Sequence, residues 1–356
     1  MGNMKNFSAS LRRFSSCAEK TDDFSLQGLL KATRQKLSWE IKTCRYQPWI
    51  KDPRVAASVA SHLNKNKQNN LVVEIFPGFG AVTESLLRSG RRVVVYERRS
   101  FLKKRMEALK EQFTVFFDCN FENYYLPTSI HLENEITENF YQHLPNVPWY
   151  SQDSQKFQCL TPIVTKHRLL NHAVCFAQTT GIFHCGRPDL YILANWKIAE
   201  ILFSSPDSMF FSSSSVMFQR FFNMEVIDEY PQAAFEPNYC FLQKTGKSLS
   251  TMFEKTKGML IRISLKEDLL KENPGSEEIP GFFLFINWCF HQRSERIIPA
   301  LEQWSPGIGF DIIDKLGISI FIQFKSLTSA DFFEIYKIVR KRGIENYPFF
   351  KSSIIH

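Results

Sequence analysis

The run Leu71-Val72-Val73-Glu74-Ile75-Phe76-Pro77-Gly78-Phe79-Gly80, followed by Ala81 to Arg88 and then Arg92-Val93-Val94-Val95-Tyr96-Glu97, leaves this chain little freedom of architecture. Two apolar, β-branched runs without alternation read as strands buried on both faces, which is how parallel sheets are written. Between them lie a glycine turn and an amphipathic segment with Val82, Leu86 and Leu87 inward, completing a β-α-β unit. Repeated units of this kind give an α/β fold with an open, Rossmann-like sheet. At roughly 150 residues per domain, the 356 residues leave room for a second unit.

The same stretch points to a ligand. Gly78 and Gly80 let the backbone approach a bound molecule at the helix start, and Glu97 ends the second strand where a carboxylate can hold ribose hydroxyls. A dinucleotide fingerprint needs Gly or Ala three residues after Gly80, but Thr83 stands there, so NAD is disfavoured. An adenosyl ligand without a pyrophosphate needs only the first turn, the ribose acid and an acid near the adenine. Thr114 to Phe117 followed by Asp118 supplies that last element, and S-adenosylmethionine is the cofactor that fits.

The ordered series E-x-x-P-G-x-G-x-x-T-x-x-L-L from Glu74 to Leu87, then Glu97 and Asp118, resembles the ribosomal RNA adenine dimethyltransferase family, including its mitochondrial transcription factor B branch. Upstream, Arg45-Tyr46 and Ile50-Lys51-Asp52-Pro53-Arg54 resemble the family segment that lies over the cofactor. Downstream, Gly186-Arg187 with Trp196 to Leu202, Tyr230-Pro231 with Phe235 and Pro237, and Cys289 to Leu301 are similar to later family blocks, the last to the first basic helix of a C-terminal helical domain. The resemblance spans roughly residues 40 to 345. It implies a class I methyltransferase sheet with a small helical domain at the C-terminus, and a cofactor set of Ile50, Glu74, Gly78, Gly80, Glu97 and Asp118. Phe76 departs from it, because many family enzymes have glycine at that place.

The catalytic pattern departs further. Family enzymes carry N-[LIVM]-P-[FY] after the fourth strand, where the Asn amide and Pro carbonyl accept from the adenine N6 amine and the aromatic stacks on the extruded base. The corresponding strand is Phe157 to Thr161 with Pro162 as the motif proline, so the motif becomes Leu160, Thr161, Pro162, Ile163, with neither acceptor nor stacking ring at its ends. Asn146-Val147-Pro148-Trp149 matches the motif literally. The polar residues Glu138 to Leu144 before it form no apolar strand, however, and Pro148 lies 38 residues before Gly186 where Pro162 lies 24 before it. Asn146, Pro148 and Trp149 are therefore read as a surface loop, and no catalytic residue is expected.

Lysine and arginine outnumber acids 44 to 36, a net charge of +8 that favours polyanionic partners. The first eighteen residues are basic, Ser-rich and free of acids, which reads as a mitochondrial transit peptide or a disordered tail over 1–25. Eight cysteines without a C-x-x-C pair read as reduced thiols, and His167, His172, Cys175, His184 and Cys185 match no zinc spacing. The longest apolar stretch, Phe282 to Phe290, is far short of the roughly 20 residues of a membrane span. A methyltransferase-like domain is expected over 26–275 and a helical domain over 276–356, with the Ser204 to Ser215 run as a loop. In the transcription factor branch the Cys289 to Leu301 region contacts DNA, which makes Gln292, Arg293 and Arg296 phosphate candidates. The departures favour the branch's type-two, transcription-dedicated form: a factor of the mitochondrial matrix or nucleoid that works with mitochondrial RNA polymerase on promoter DNA. Alternatives are an active small-subunit rRNA adenine dimethyltransferase, with rRNA as partner, and an unrelated small-molecule methyltransferase.

Overall fold

The computed structural model describes residues 48–65, 70–97, 102, 114–116, 144–238, 257–272 and 278–343. Asp118, Arg45-Tyr46, the presumed leader and the basic run from Arg98 to Lys110 lie outside the described residues, except Leu102. Strand β1 (Trp49–Ile50) leads into helix α1 (Pro53–Lys65). Then come β2 (Leu71–Ile75), α2 (Ala81–Arg88), β3 (Arg92–Tyr96) and β4 (Thr114–Phe116). After Leu144 the chain forms β5 (Lys156–Ile163), α3 (Lys166–Gln178), β6 (Arg187–Asn195), α4 (Trp196–Phe203), α5 (Ser213–Phe221) and β7 (Phe222–Pro231). It continues with β8 (Phe235–Glu236), β9 (Lys257–Leu265) and α6 (Glu267–Glu272). Helices α7 (Glu278–His291), α8 (Ile297–Glu302), α9 (Ile308–Leu316) and α10 (Ser329–Lys341) follow.

Seven of these strands form one sheet in the order β4-β3-β2-β5-β6-β9-β7. The first five run parallel, while β9 is antiparallel to β6 and β7. From β2 the chain winds outward to β4, then returns to lay β5 on the other side of β2. The β2/β5 boundary is therefore the topological switch point, where the carboxyl ends of strands in such sheets open a crevice for ligands. Every residue of β2 is buried, Glu74 among them.

Two expectations are corrected. The serine run is not all loop: Ser212 and Ser215 form a reciprocal capping box, and the helix starts at Ser213. The segment Cys289 to Leu301 is not one helix either. It leaves α7 after His291 and re-enters α8 at Ile297, because Phe324 donates its N–H to the Glu295 carbonyl and Arg296 pairs with Gln323 as an isolated β-bridge.

Side chains on either side of the 275/276 boundary share one core. Phe221 of α5 lies 5.7 Å from Phe282 of α7 and 5.9 Å from Phe333 of α10, and the latter two rings meet edge-on at 5.1 Å. On the sheet side Phe176 of α3 packs against Trp149, Phe183 and Phe222. Truncating the fully buried Phe282 to Ala should cost about 3–5 kcal/mol. Urea unfolding followed by near- and far-ultraviolet dichroism should give a single coincident transition at lower denaturant. A separate early transition of the helical end would contradict the shared core.

Candidate functional site

The turn after β2 is built by strain and close approach. Phe76 has φ 57°, a left-handed conformation that costs a non-glycine residue about 1–2 kcal/mol. It is held by the Phe76 N–H bond to the Tyr96 carbonyl at 2.9 Å and by the Arg168 guanidinium 5.1 Å above its ring. Gly78 and Gly80 follow at φ 65° and 77°. Gly78 cannot be replaced at all cheaply, since a Cβ there would collide with the indole of Trp49. Gly80 caps α2, whose first free N–H groups thus face the end of β2.

Trp49 and Ile50 belong to a strap across this turn. β1 pairs antiparallel with β8, the Lys51 N–H donates to the Ala234 carbonyl at 2.8 Å, and Lys51 Nζ meets Glu236 at 3.0 Å. Ile50, Glu74, Phe76, Leu160, Pro162 and Leu193 line a narrow cavity beneath the strap, with room for about one water molecule. The structure thus brings Ile50, Glu74, Gly78 and Gly80 of the expected cofactor set to one place, with Glu97 buried at the end of β3.

Glu74 is the chemically unusual group. Its carboxylate accepts from the Thr83 hydroxyl at 2.6 Å and is almost fully buried. Burial pushes its pKa up to about 7, opposed by the Thr83 bond and reinforced by the charge of Glu97. Thr83, which argued against a dinucleotide in the sequence, here acts as the partner of a buried acid.

The residues of the expected degenerate motif, Leu160 to Ile163, all belong to β5 and are all buried. Leu160 faces Glu74 across the β2/β5 ladder, and Pro162 faces Leu193 of β6. The amide side chain adjoining this end of the sheet is Asn195, which sequence reading passed over. Its Nδ2 donates to the Val164 carbonyl at 3.0 Å and its Oδ1 accepts from the Ile198 N–H at 3.2 Å, which caps α4 and fixes the chain after β5. An Asn at a strand-to-helix junction is the signal that could have found it.

Asn146 to Trp149 sit elsewhere. Asn146 is exposed. Trp149 is buried against Phe176, and its carbonyl accepts from Arg187 Nε at 2.8 Å, at the entry to β6. Arg187 pairs with Lys156 and Ala194 with Ile163, seven steps apart, or roughly 23 Å along the strands at 3.3 Å per residue. The literal motif therefore lies at the opposite ends of the strands from the glycine turn. Of the phosphate candidates, Arg293 is half-buried and donates to the Ser208 carbonyl at 3.1 Å, Gln292 is half-buried, and Arg296 is exposed with its guanidinium 4.9 Å over Phe321.

These placements test the cofactor. Buried Glu97 and the two positive-φ glycines suit the nucleoside half of S-adenosylmethionine. Leu160, Pro162 and Phe76 line the narrow cavity beside them, beneath the strap.

Comparison with known proteins agrees with the geometry. The family profile described as ribosomal RNA adenine dimethylase matches residues 40–341. Mitochondrial dimethyladenosine transferase 2 of Bos taurus is 21% identical over 305 residues, covering 82% of this chain and 76% of the relative. Ribosomal RNA small subunit methyltransferase A of Anaplasma phagocytophilum (strain HZ) is also 21% identical, over 59% of this chain and 67% of its own. Among solved structures, a dimethyladenosine transferase from Plasmodium falciparum superposes with TM-score 0.53 at 12% identity, over 83% of this chain and 98% of that one. The 23S rRNA methyltransferase ErmE gives 0.51 at 14%, over 82% and 99%. The fold is that of the Rossmann-like methyltransferases.

The buried acid makes a pH prediction. A carboxyl whose folded pKa lies near 7, against an ordinary 4.5, binds more protons folded than unfolded between those values. Stability from this group is therefore present at low pH and lost as pH rises from about 4.5 to about 7. Glu74→Gln keeps the Thr83 acceptor without the charge. It should gain stability over wild type on the order of 2–3 kcal/mol by pH 8, with no gain near pH 4.5. The wild-type difference curve removes His172, whose ring burial holds at about 4 and which acts in the opposite sense. Chemical denaturation across pH measures this, and a pH-independent difference would place the carboxylate in a far more solvated setting.

Proposed function

The chain belongs to the ribosomal RNA adenine dimethylase family, and from that premise we propose that it is a mitochondrial transcription initiation factor, assisting mitochondrial RNA polymerase in opening promoter DNA on a fold whose methyl-transfer site has degenerated. The observation that carries the reading is the chemistry at the end of β5. An adenine N6 amine needs acceptors that orient its lone pair toward the methyl group and an aromatic face to hold the extruded ring. Leu160 and Ile163 offer neither, and the Asn195 amide bonds the Val164 carbonyl and the Ile198 N–H. Binding an unpaired base and reacting with it are separable demands, so a basic, base-receiving fold can keep the first after losing the second.

Further support comes from charge and kinship. The net charge of +8 suits promoter DNA, and several relatives carry "mitochondrial" in their names, in line with a basic, acid-free start that reads as a transit peptide. A matrix or nucleoid location follows. Ile50, Glu74, Gly78, Gly80 and Glu97, with Asp118 outside the described residues, are the proposed remnant of an S-adenosylmethionine pocket. The second reading, an active small-subunit rRNA adenine dimethyltransferase, is favoured by one observation, the buried strand-end carboxylate Glu97 retained at the ribose position.

With its cognate polymerase, the protein should raise the fluorescence of a base analogue placed in the start region of duplex promoter DNA, and a pre-melted promoter should need it less. An RNA hairpin with two adjacent loop adenines, incubated with the protein and S-adenosylmethionine, should show no dimethyladenine by mass spectrometry. Robust dimethylation without any opening signal would reverse the assignment in favour of the second reading.

A further inference from the structure

Helix α1 carries the strap, and a defect in the edge strand β7 ties that helix to the sheet. Side chains alternate from face to face along a strand, so Glu225, which meets Arg262 opposite it at 3.2 Å, should share its face with residues 227 and 229. The register shifts between Val226 and Asp228 instead. The extra residue reverses the alternation and brings Asp228, opposite Leu260, and Tyr230, opposite Gly258, to the side of Glu225. Helix α1 lies on that side.

Donors from both elements converge on the Asp228 carboxylate. Ser58 and His62 stand one turn apart on one face of α1; His62 Nε2 lies 3.1 Å from Asp228 Oδ2, and Ser58 Oγ donates to the same oxygen at 3.3 Å. On β7 the Glu229 N–H donates to Oδ1 at 2.8 Å, and the Tyr230 hydroxyl, 3.0 Å from Ser58 Oγ, joins the cluster. Burial by itself raises this carboxyl. The bonds from His62, the Glu229 N–H, Tyr230 and Ser58 outweigh it and hold the group below the ordinary carboxylate range.

The strap has slender support of its own. β1 and β8 pair over two residues each, too few to hold a strand pair alone, and the buried side chains of α1 are Val55, Ala56, Val59, Ala60 and Leu63, mostly small. The far end of α1 is pinned. Its Leu63 carbonyl accepts from Gln158 Nε2 at 2.9 Å and from the buried Arg91 guanidinium at 3.4 Å, a cation where the last carbonyls of a helix are free. The helix is therefore fixed at its C-terminal end, held midway by Asp228, and continuous with the strap at its N-terminal end through Asp52. The cavity beneath the strap has room for about one water molecule, so a larger guest needs the strap displaced.

We propose that Ser58, His62, Asp228 and Tyr230 form a latch, whose release lets α1 swing about its Leu63 end and lift Trp49 and Ile50 from the switch-point crevice. The latch stands on the fold and is independent of the promoter-opening reading. The guest it admits is an adenosyl compound, an assignment that rests on Gly78, Gly80 and Glu97 as a nucleoside site.

Hydrogen–deuterium exchange of the full-length protein, read on peptides, tests both parts. Asp228→Asn removes the acceptor charge, and a variant combining Ser58→Ala with His62→Ala cuts the link from the helix side. In each, amides of residues 49–52 and 234–236 should exchange about tenfold faster, the size expected for one lost hydrogen bond to a charged group, with β2 and β5 peptides and the melting temperature as in wild type. Lys257→Ala, which breaks the 3.1 Å ion pair to Glu229 next to the latch, should leave strap exchange unchanged. Unchanged exchange in both latch variants, equal acceleration in Lys257→Ala, or acceleration that includes β2 and β5 would overturn the latch. S-adenosylhomocysteine added to Asp228→Asn should slow exchange at 49–52 again. Failure of that arm alone would remove the adenosyl guest and leave the latch standing.

Discussion

The contact between the Trp49 indole and the Cα of Gly78 organises the rest of the site. Only a residue without a Cβ can sit at the apex of the turn after β2, because Trp49 occupies the space a side chain would take. The indole is itself fixed by the pairing of β1 with β8 and by the Lys51–Glu236 ion pair. Two stretches far apart in sequence, around 50 and around 235, are thereby clamped over the switch point of the sheet. With the strap in place, Ile50 closes the cavity from above while Leu160 and Pro162 form its other wall. The strap and the end of β5 thus meet at the switch point as packed apolar side chains.

The same packing explains why an acid is kept where it destabilises. Glu74 sits in a fully apolar strand, and its desolvation is offset only in part by the Thr83 hydroxyl. Its protonated form suits the site better, and Glu97 one strand away adds repulsion whenever both ionise. A stability-selected sequence would place Gln or an apolar residue there. A buried acid joined to a hydroxyl and facing a second acid is the kind of perturbed group that marks a binding site rather than a strand selected for stability alone.

Legibility in the sequence followed the range of the interaction. The β2-α2-β3 unit was readable because apolar runs and glycine spacing are local, and α10 because the Thr328 cap and the Asp331 box lie within four residues of each other. The 24-residue interval from Pro162 to Gly186 separated the β5 strand from the literal Asn146 motif because it is the interval the family resemblance implies. Trp49 beside Gly78, Arg168 over Phe76 and the spending of Asn195 on Val164 were not readable, since each depends on which residue of a distant element arrives. The break between α7 and α8 was hidden for the same reason. Cys289 to Leu301 carries a helical pattern, and the β-bridge from Gln323 that opens it lies some 27 residues downstream of Arg296.

That break is also what gives the C-terminal end its surface. A continuous helix through Arg296 would leave 319–326 without backbone partners and free to turn its apolar side chains inward. Ile297, Phe324 and Lys325 donate backbone bonds across the gap that tie the loop in place, and Phe321 beside them is largely exposed. Burying Phe321 would have been worth about 2–3 kcal/mol to the fold. The exposed ring instead keeps the Arg296 guanidinium over its face, a cation–aromatic contact that offsets part of that loss.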